Sequence, residues 1–80
     1  MRDMIFYRKI FGEHFTFSAK ESKEDFVKIF DVPHIQQFES KILQNGGDLT
    51  VAEVVLKDNQ KIAYYCDPDG FIFALLEHDG

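Results

Sequence analysis

The stretch Lys61-Ile-Ala-Tyr-Tyr-Cys-Asp-Pro-Asp-Gly-Phe-Ile-Phe-Ala-Leu-Leu-Glu77 decides the fold of this chain. Residues 61–66 and 71–77 are rich in aromatic and aliphatic side chains, a composition typical of β-strands. Between them, Asp-Pro-Asp-Gly has a turn-forming residue at each position. The stretch therefore predicts an antiparallel pair of strands joined by a tight turn.

An amphipathic helix is predicted before these strands, over residues 34–45. Ile35, Phe38 and Ile42 recur at helical spacing and form one apolar stripe, while polar residues lie between them. A proline precedes the helix and a pair of glycines follows it, which are the usual start and stop signals.

Two further strands flank this helix, over residues 25–32 and 48–56, the second with a bend near residues 52–53. From residue 25 onward the predicted order is therefore βαβββ. For residues 1–22 the pattern favours a helix from Met4 to Gly12 followed by a strand from His14 to Ser18. A β-hairpin that turns at Gly12 is the alternative.

Composition indicates a small domain that needs a partner. The 80 residues make one domain, 1–80, and a chain of this size buries too little surface to be very stable alone. Cys66 is the single cysteine, so the chain forms no internal disulfide, and a lone thiol fits a cytoplasmic location. We therefore expect a homodimer to complete the fold.

Charge and hydropathy argue against two classes of partner. Fourteen acidic against nine basic residues give a net charge of −5, and the basic cluster Arg8-Lys9 is too small for nucleic acid. The sequence shows neither a long apolar run nor the hydrophobic region of a signal peptide. We expect no nucleic-acid and no membrane partner.

Several segments together resemble the second half of a vicinal-oxygen-chelate protein, the superfamily of glyoxalases, bleomycin-resistance proteins and certain dioxygenases. They are the run Phe30-Asp-Val-Pro-His-Ile35, the helix that ends at the glycine pair, and residues 61–77. The run Phe6-Tyr-Arg-Lys-Ile-Phe-Gly12 is similar to the first helix of such proteins.

The resemblance implies an α+β fold. Residues 25–79 would form a βαβββ module with a cupped mixed sheet and one packed main helix, and residues 1–22 an N-terminal helix/strand extension. Family members pair two such modules around a small-molecule site. This chain has one, so the resemblance implies that dimerisation supplies the second.

The resemblance also bears on metal binding, because many family enzymes hold a divalent metal on the inner face of the sheet. The corresponding positions in this chain are Val27 and Ala74, and neither side chain has a donor atom. We therefore expect no metal, no cofactor and no catalytic residue. A site built from His14, Glu77 and His78 is the alternative.

One face of the predicted sheet would line the cavity of such a protein. If Cys66 and Phe71 pair across the turn, alternation along the strands assigns the residues of this face. They are Val27, Ile29, Asp31, Ala63, Tyr65, Ile72, Ala74 and Leu76. The same pairing directs Tyr64, Cys66, Phe71, Phe73 and Leu75 toward the helix. The composition of the cavity face suits a small-molecule pocket and a closed dimer interface equally well.

The sequence thus favours a metal-free, small-molecule-binding homodimer of the glyoxalase/bleomycin-resistance type rather than an enzyme. Its ligand would be small and either partly apolar or cationic. Two alternatives stay open: a metal-dependent lyase, isomerase or dioxygenase of the same superfamily, and a non-catalytic protein-interaction module.

Overall fold

A four-stranded mixed sheet carries two helices on one of its faces. The computed structural model describes residues 4–15 and 27–78. The elements in chain order are α1 (Met4–Phe11), β1 (Lys28–Val32), α2 (Ile35–Gln44), β2 (Asp48–Val55), a short 3-10 turn (Lys57–Asn59), β3 (Lys61–Cys66) and β4 (Ile72–Glu77). No helix in these two ranges is long and apolar enough to cross a bilayer.

The strand order in the sheet is β1-β4-β3-β2, with β1 parallel to β4 and the other neighbours antiparallel. From β1 onward this is the predicted βαβββ order, and the α+β fold is confirmed. The predicted helix from Met4 is α1. The predicted strand from His14 to Ser18 and the start of the strand at residue 25 fall largely outside the described residues.

Both helices contribute to one apolar core, the predicted N-terminal helix as well as the predicted main helix. Phe6, Tyr7 and Ile10 of α1 are buried together with Ile35 and Ile42 of α2. Fully burying side chains of this size stabilises a fold by roughly 1.5–3 kcal/mol each. The predicted N-terminal helix is therefore part of the core.

The glycine pair after α2 serves two different purposes. Gly46 has φ of +94°, the left-handed conformation that commonly ends a helix. Gly47 instead permits close packing, because a Cβ there would lie 2.6 Å from Ile42 Cγ2 and 2.9 Å from the Cys66 carbonyl oxygen. Its N–H also donates to the Ile42 carbonyl at 2.8 Å.

Asp67 organises the loop between β3 and β4 and links it to α1. The residue is only 2% exposed, and its Oδ2 accepts a hydrogen bond of 2.7 Å from the Tyr7 hydroxyl. Its Oδ1 accepts from the backbone N–H groups of Asp69 and Phe71 at 3.0 and 2.9 Å. The Asp67 N–H donates to the Phe71 carbonyl at 2.9 Å. These bonds close a five-residue loop, 67–71, after which Cys66 pairs with Ile72.

The Asp67→Ala substitution should lower the free energy of unfolding by about 3 kcal/mol or more, because it leaves a buried hydroxyl and two N–H groups without their acceptor. Urea denaturation measures this change. Asp69→Ala is the matched control, since this neighbour is exposed and should change stability by less than about 0.5 kcal/mol. Equal effects of the two substitutions would contradict the role given to Asp67.

Candidate functional site

The sheet face opposite the helices, here named the outer face, is apolar over most of its area. Residues that pair across strands point to the same side of a sheet. The pairs Ile29–Ala74, Tyr64–Ala74, Asp31–Leu76, Ile62–Leu76 and Cys66–Ile72 define it. Two residues of β2 continue it, because Val51 pairs with Tyr64 and Val54 with Ile62.

Part of this outer face is open to solvent in the single chain. Ile29 is 52% exposed, Val51 43% and Val54 46%. Ala74 at its centre is fully buried, and it is absent from the core cluster that packs against the helices. The exposed apolar residues thus lie on the two edge strands, β1 and β2, on either side of a buried centre.

The structure places most of the predicted cavity-face residues together on the outer face. These residues are Ile29, Asp31, Ile72, Ala74 and Leu76. Val27 is exposed, precedes β1 and lies two residues before Ile29, the spacing of one strand face.

Two of the predicted cavity-face residues lie on the other side of the sheet. Ala63 and Tyr65 are buried in the core beneath the helices, where Tyr65 stacks on Phe73. Their predicted placement was wrong because it assumed that Cys66 pairs with Phe71. The observed pairing of Cys66 with Ile72 is displaced by one residue, and a slip of one residue reverses the faces of a strand.

The same correction brings Ile62, Tyr64 and Cys66 to the outer face. Tyr64 and Cys66 had been predicted to point toward the helix. The phenol of the outer face is therefore that of Tyr64. Phe73 and Leu75 lie in the core as predicted.

A polar pair lies at one end of the outer face. His78 Nε2 is 3.1 Å from Asp31 Oδ1, and its Nδ1 is 3.0 Å from Gln60 Nε2. Both members of the His78–Asp31 pair are largely exposed. Together with Tyr64 they give this face the few polar groups that orient a ligand in an otherwise apolar site.

The centre of the outer face, where the resemblance places a metal ligand of family enzymes, lacks the usual donor groups. Ala74 and its register partners Ile29 and Tyr64 offer no carboxylate, imidazole or thiolate. Nor does any group of three His, Cys, Asp or Glu side chains in residues 4–15 and 27–78 form a candidate metal site.

Glu77 and His78, two members of the alternative metal site, have partners on opposite sides of the sheet. Glu77 Oε1 accepts a hydrogen bond of 2.8 Å from the Ile35 N–H, at the start of α2, and its Oε2 lies 3.9 Å from Lys61 Nζ. His78 contacts Asp31 of the outer face instead. Glu77 thus satisfies an N-terminal N–H of α2, a position where negative charge is favourable.

A second concave site, named here the α2–β2 cleft, lies on the helix side of the sheet. It has a volume of about 290 Å³ and is lined by Gln36, Glu39, Leu49, Ala52, Glu53 and Tyr65. Gln36 and Glu53 also line a neighbouring depression that reaches His34 and Lys61. Sequence reasoning missed this cleft, although the predicted bend near residues 52–53 coincides with the register shifts of β2.

The Tyr65 hydroxyl of this cleft is buried and has no hydrogen-bond partner among the described residues. The pKa of the phenol is raised, first by burial, then by the Glu39 carboxylate, whose charge and acceptor oxygen both favour the protonated phenol, and last by the charge of Glu53. The hydroxyl and the Glu39 carboxylate nevertheless do not reach the geometry of a hydrogen bond. Buried polar groups are nearly always hydrogen-bonded, so an unpaired hydroxyl requires an explanation.

The βαβββ order and the mixed sheet, with its two helices on one face, define the class of fold. It is the fold that the resemblance implied, and solved structures of glyoxalase family proteins share it. No protein-family model matches the chain, and neither does any curated protein. The likeness to known proteins therefore rests on solved structures.

Two solved structures illustrate this likeness. A glyoxalase/bleomycin resistance protein/dioxygenase family enzyme from Burkholderia phytofirmans PsJN superposes with a TM-score of 0.70 at 16% identity, over 96% of this chain and 91% of that chain. A glyoxalase family protein from Bacillus cereus superposes with a TM-score of 0.63, also at 16% identity, over 91% of this chain. The chain spans 44% of the Bacillus cereus protein.

Tyr65→Phe should leave the free energy of unfolding unchanged or raise it by up to about 1–2 kcal/mol at pH 7, because it removes an unpaired buried hydroxyl and keeps the ring. Above about pH 10 the unfolded chain releases the phenol proton while the folded chain retains it, so stability falls as pH rises. The variant should lack this contribution. Urea denaturation between pH 7 and 11 measures both effects, and a large loss at pH 7 would contradict them.

Proposed function

We propose that the protein is a metal-free, small-molecule-binding homodimer in which the outer faces of two copies enclose the ligand. The observation that carries the proposal is the apolar outer face, which one chain leaves partly open. Ile29, Val51 and Val54 are each more than 40% exposed on it. Exposing such a surface to water is unfavourable by roughly 25 cal/mol for each square ångström.

The fold favours a second copy of this chain as the partner that covers the outer face. Family members pair two modules, and 44% of the Bacillus cereus protein is about the share that one of two modules would occupy. A two-fold dimer of single modules would reproduce such a pair with identical halves. The Burkholderia phytofirmans structure, of which 91% is covered, shows that a chain of this extent also occurs among structures titled as family enzymes.

The ligand chemistry follows from the side chains of the outer face. Ile29, Ile72 and Leu76 offer apolar contact, whereas Ala74 at the centre is fully buried. Tyr64 and the Asp31–His78 pair would supply the polar contacts. A small, largely apolar compound with one hydrogen-bonding or cationic group suits this set.

No step of a reaction is assigned to this site. A metal-dependent lyase, isomerase or dioxygenase would need ligands that Ala74 and its register partners do not offer. A protein-interaction module would bind a different protein through the same apolar surface. The molar mass in solution distinguishes such a module from a homodimer.

Ile29→Glu should convert the dimer into single chains, because it places a charge in the proposed interface. Leu43→Glu is the matched control: Leu43 is 49% exposed on α2, close to the 52% of Ile29, and the variant acquires the same charge. Size-exclusion chromatography with light scattering should give twice 9.3 kDa for the wild type and for Leu43→Glu, and 9.3 kDa for Ile29→Glu. A wild-type mass of one chain, or dissociation of Leu43→Glu instead, would overturn the proposed dimer.

Addition of Ni²⁺, Mn²⁺ or Fe²⁺ should not raise the Tm by an amount that a chelator reverses. A metal ion that bound only the folded state would stabilise it and so raise the Tm. Differential scanning fluorimetry measures this directly. A chelator-reversible rise of several degrees would show that the metal-free assignment is wrong and would favour the enzyme.

A further inference from the structure

We propose that the α2–β2 cleft binds a small alkylammonium ion through Tyr65, Glu39 and Glu53. The cleft lies on the helix side of the sheet, opposite the proposed ligand site on the outer face. The two proposals are therefore independent, and either can fail without the other.

The base of the cleft is formed by Tyr65, whose neighbour across the sheet is Leu49. Its ring is fixed between elements, since it stacks on Phe73 with the centroids 5.9 Å apart. The hydroxyl is the one described buried side-chain polar atom without a partner. A rigid ring that holds an unpaired oxygen in a cleft is what a binding site requires, because little freedom is lost when the ligand arrives.

The walls of the cleft bring two carboxylates toward this oxygen. Glu39 comes from α2, and Glu53 from the irregular part of β2, where the register with β3 shifts between Val51 and Val54. Bulges of this type redirect side chains next to functional sites. Both carboxylates and the Tyr65 ring line the same cleft, so the three groups lie close together.

No basic side chain lines the cleft within the described part of the chain. Two lysines of the elements that form the cleft have other partners: Lys41 Nζ lies 5.5 Å from the Phe38 ring centroid, and Lys61 pairs with Glu77. The cleft therefore has a negative potential that a cationic ligand would compensate.

The donor pattern favours an ammonium group over a metal ion. An ammonium has three N–H donors, which two carboxylates and one phenol oxygen can accept. The short alkyl chain would contact Leu49 and Ala52, the apolar residues of the lining. A hard divalent cation prefers six or more oxygen ligands, and no group of three acidic, His or Cys residues among the described positions could hold a metal ion.

The test is an amide-resolved NMR titration of the full chain with n-propylammonium chloride, compared with n-propanol and with CaCl₂. We expect n-propylammonium to shift the amides of residues 36–39, 49–53 and 65, whereas n-propanol and Ca²⁺ at equal concentration do not. Outer-face amides, such as those of Ile29 and Ala74, should not respond.

Variants of the cleft make the test specific. Glu53→Gln and Tyr65→Phe should each weaken n-propylammonium binding roughly tenfold, the effect of losing one hydrogen bond to a charged group. Asp58→Asn is the matched control, because it removes the same charge from an exposed turn outside the cleft and should leave the affinity unchanged.

Four results would overturn the proposal: no shifts with n-propylammonium, equal shifts with n-propanol, tighter binding of Ca²⁺ at the same amides, or equal weakening by Asp58→Asn and Glu53→Gln. The third would indicate an inorganic cation site, and the fourth an unspecific charge effect. Glu53 is exposed, so the Glu53→Gln variant should fold. It therefore tests the proposal even if Tyr65→Phe perturbs the core.

Discussion

The carboxylate of Asp67 is the constraint on which the two faces of the sheet depend. By accepting hydrogen bonds from the Asp69 and Phe71 N–H groups, it holds a five-residue loop and so fixes the pairing of Cys66 with Ile72. With a loop one residue shorter, the side chains of β3 would exchange faces relative to β4. The Tyr7 hydroxyl completes the arrangement, because its bond to Asp67 ties the loop to α1 and to the aromatic core.

Two surfaces of different chemistry follow from this register. The outer face is apolar with a polar pair at its end, which suits a second copy and a small ligand between the copies. The helix side is a packed core except at the α2–β2 cleft, where the irregular strand β2 leaves Tyr65 with an unpaired hydroxyl beside two carboxylates. Retaining such a group costs stability, and local costs of this kind are commonly kept at functional sites.

Much of the fold could be predicted from local patterns, because these patterns are strong. The apolar stripe of α2 gave its bounds to within one residue at each end, and β3 begins and ends where its composition indicates. The topology came from the order of the motifs. The faces of Ala63 and Tyr65 could not be assigned correctly, since the register depends on a side-chain interaction of Asp67 that turn propensity does not reveal. The cleft was missed because Glu39, Glu53 and Tyr65 come from three elements that only the tertiary structure brings together.

A crystal structure of the assembled protein would test the central claim most directly. We expect a two-fold dimer in which the outer faces of both copies surround an enclosed volume, with Ile29 of each chain on its wall and Tyr65 beneath the helices. A dimer that joins through the helices, or one in which the outer faces close on each other without a cavity, would contradict it.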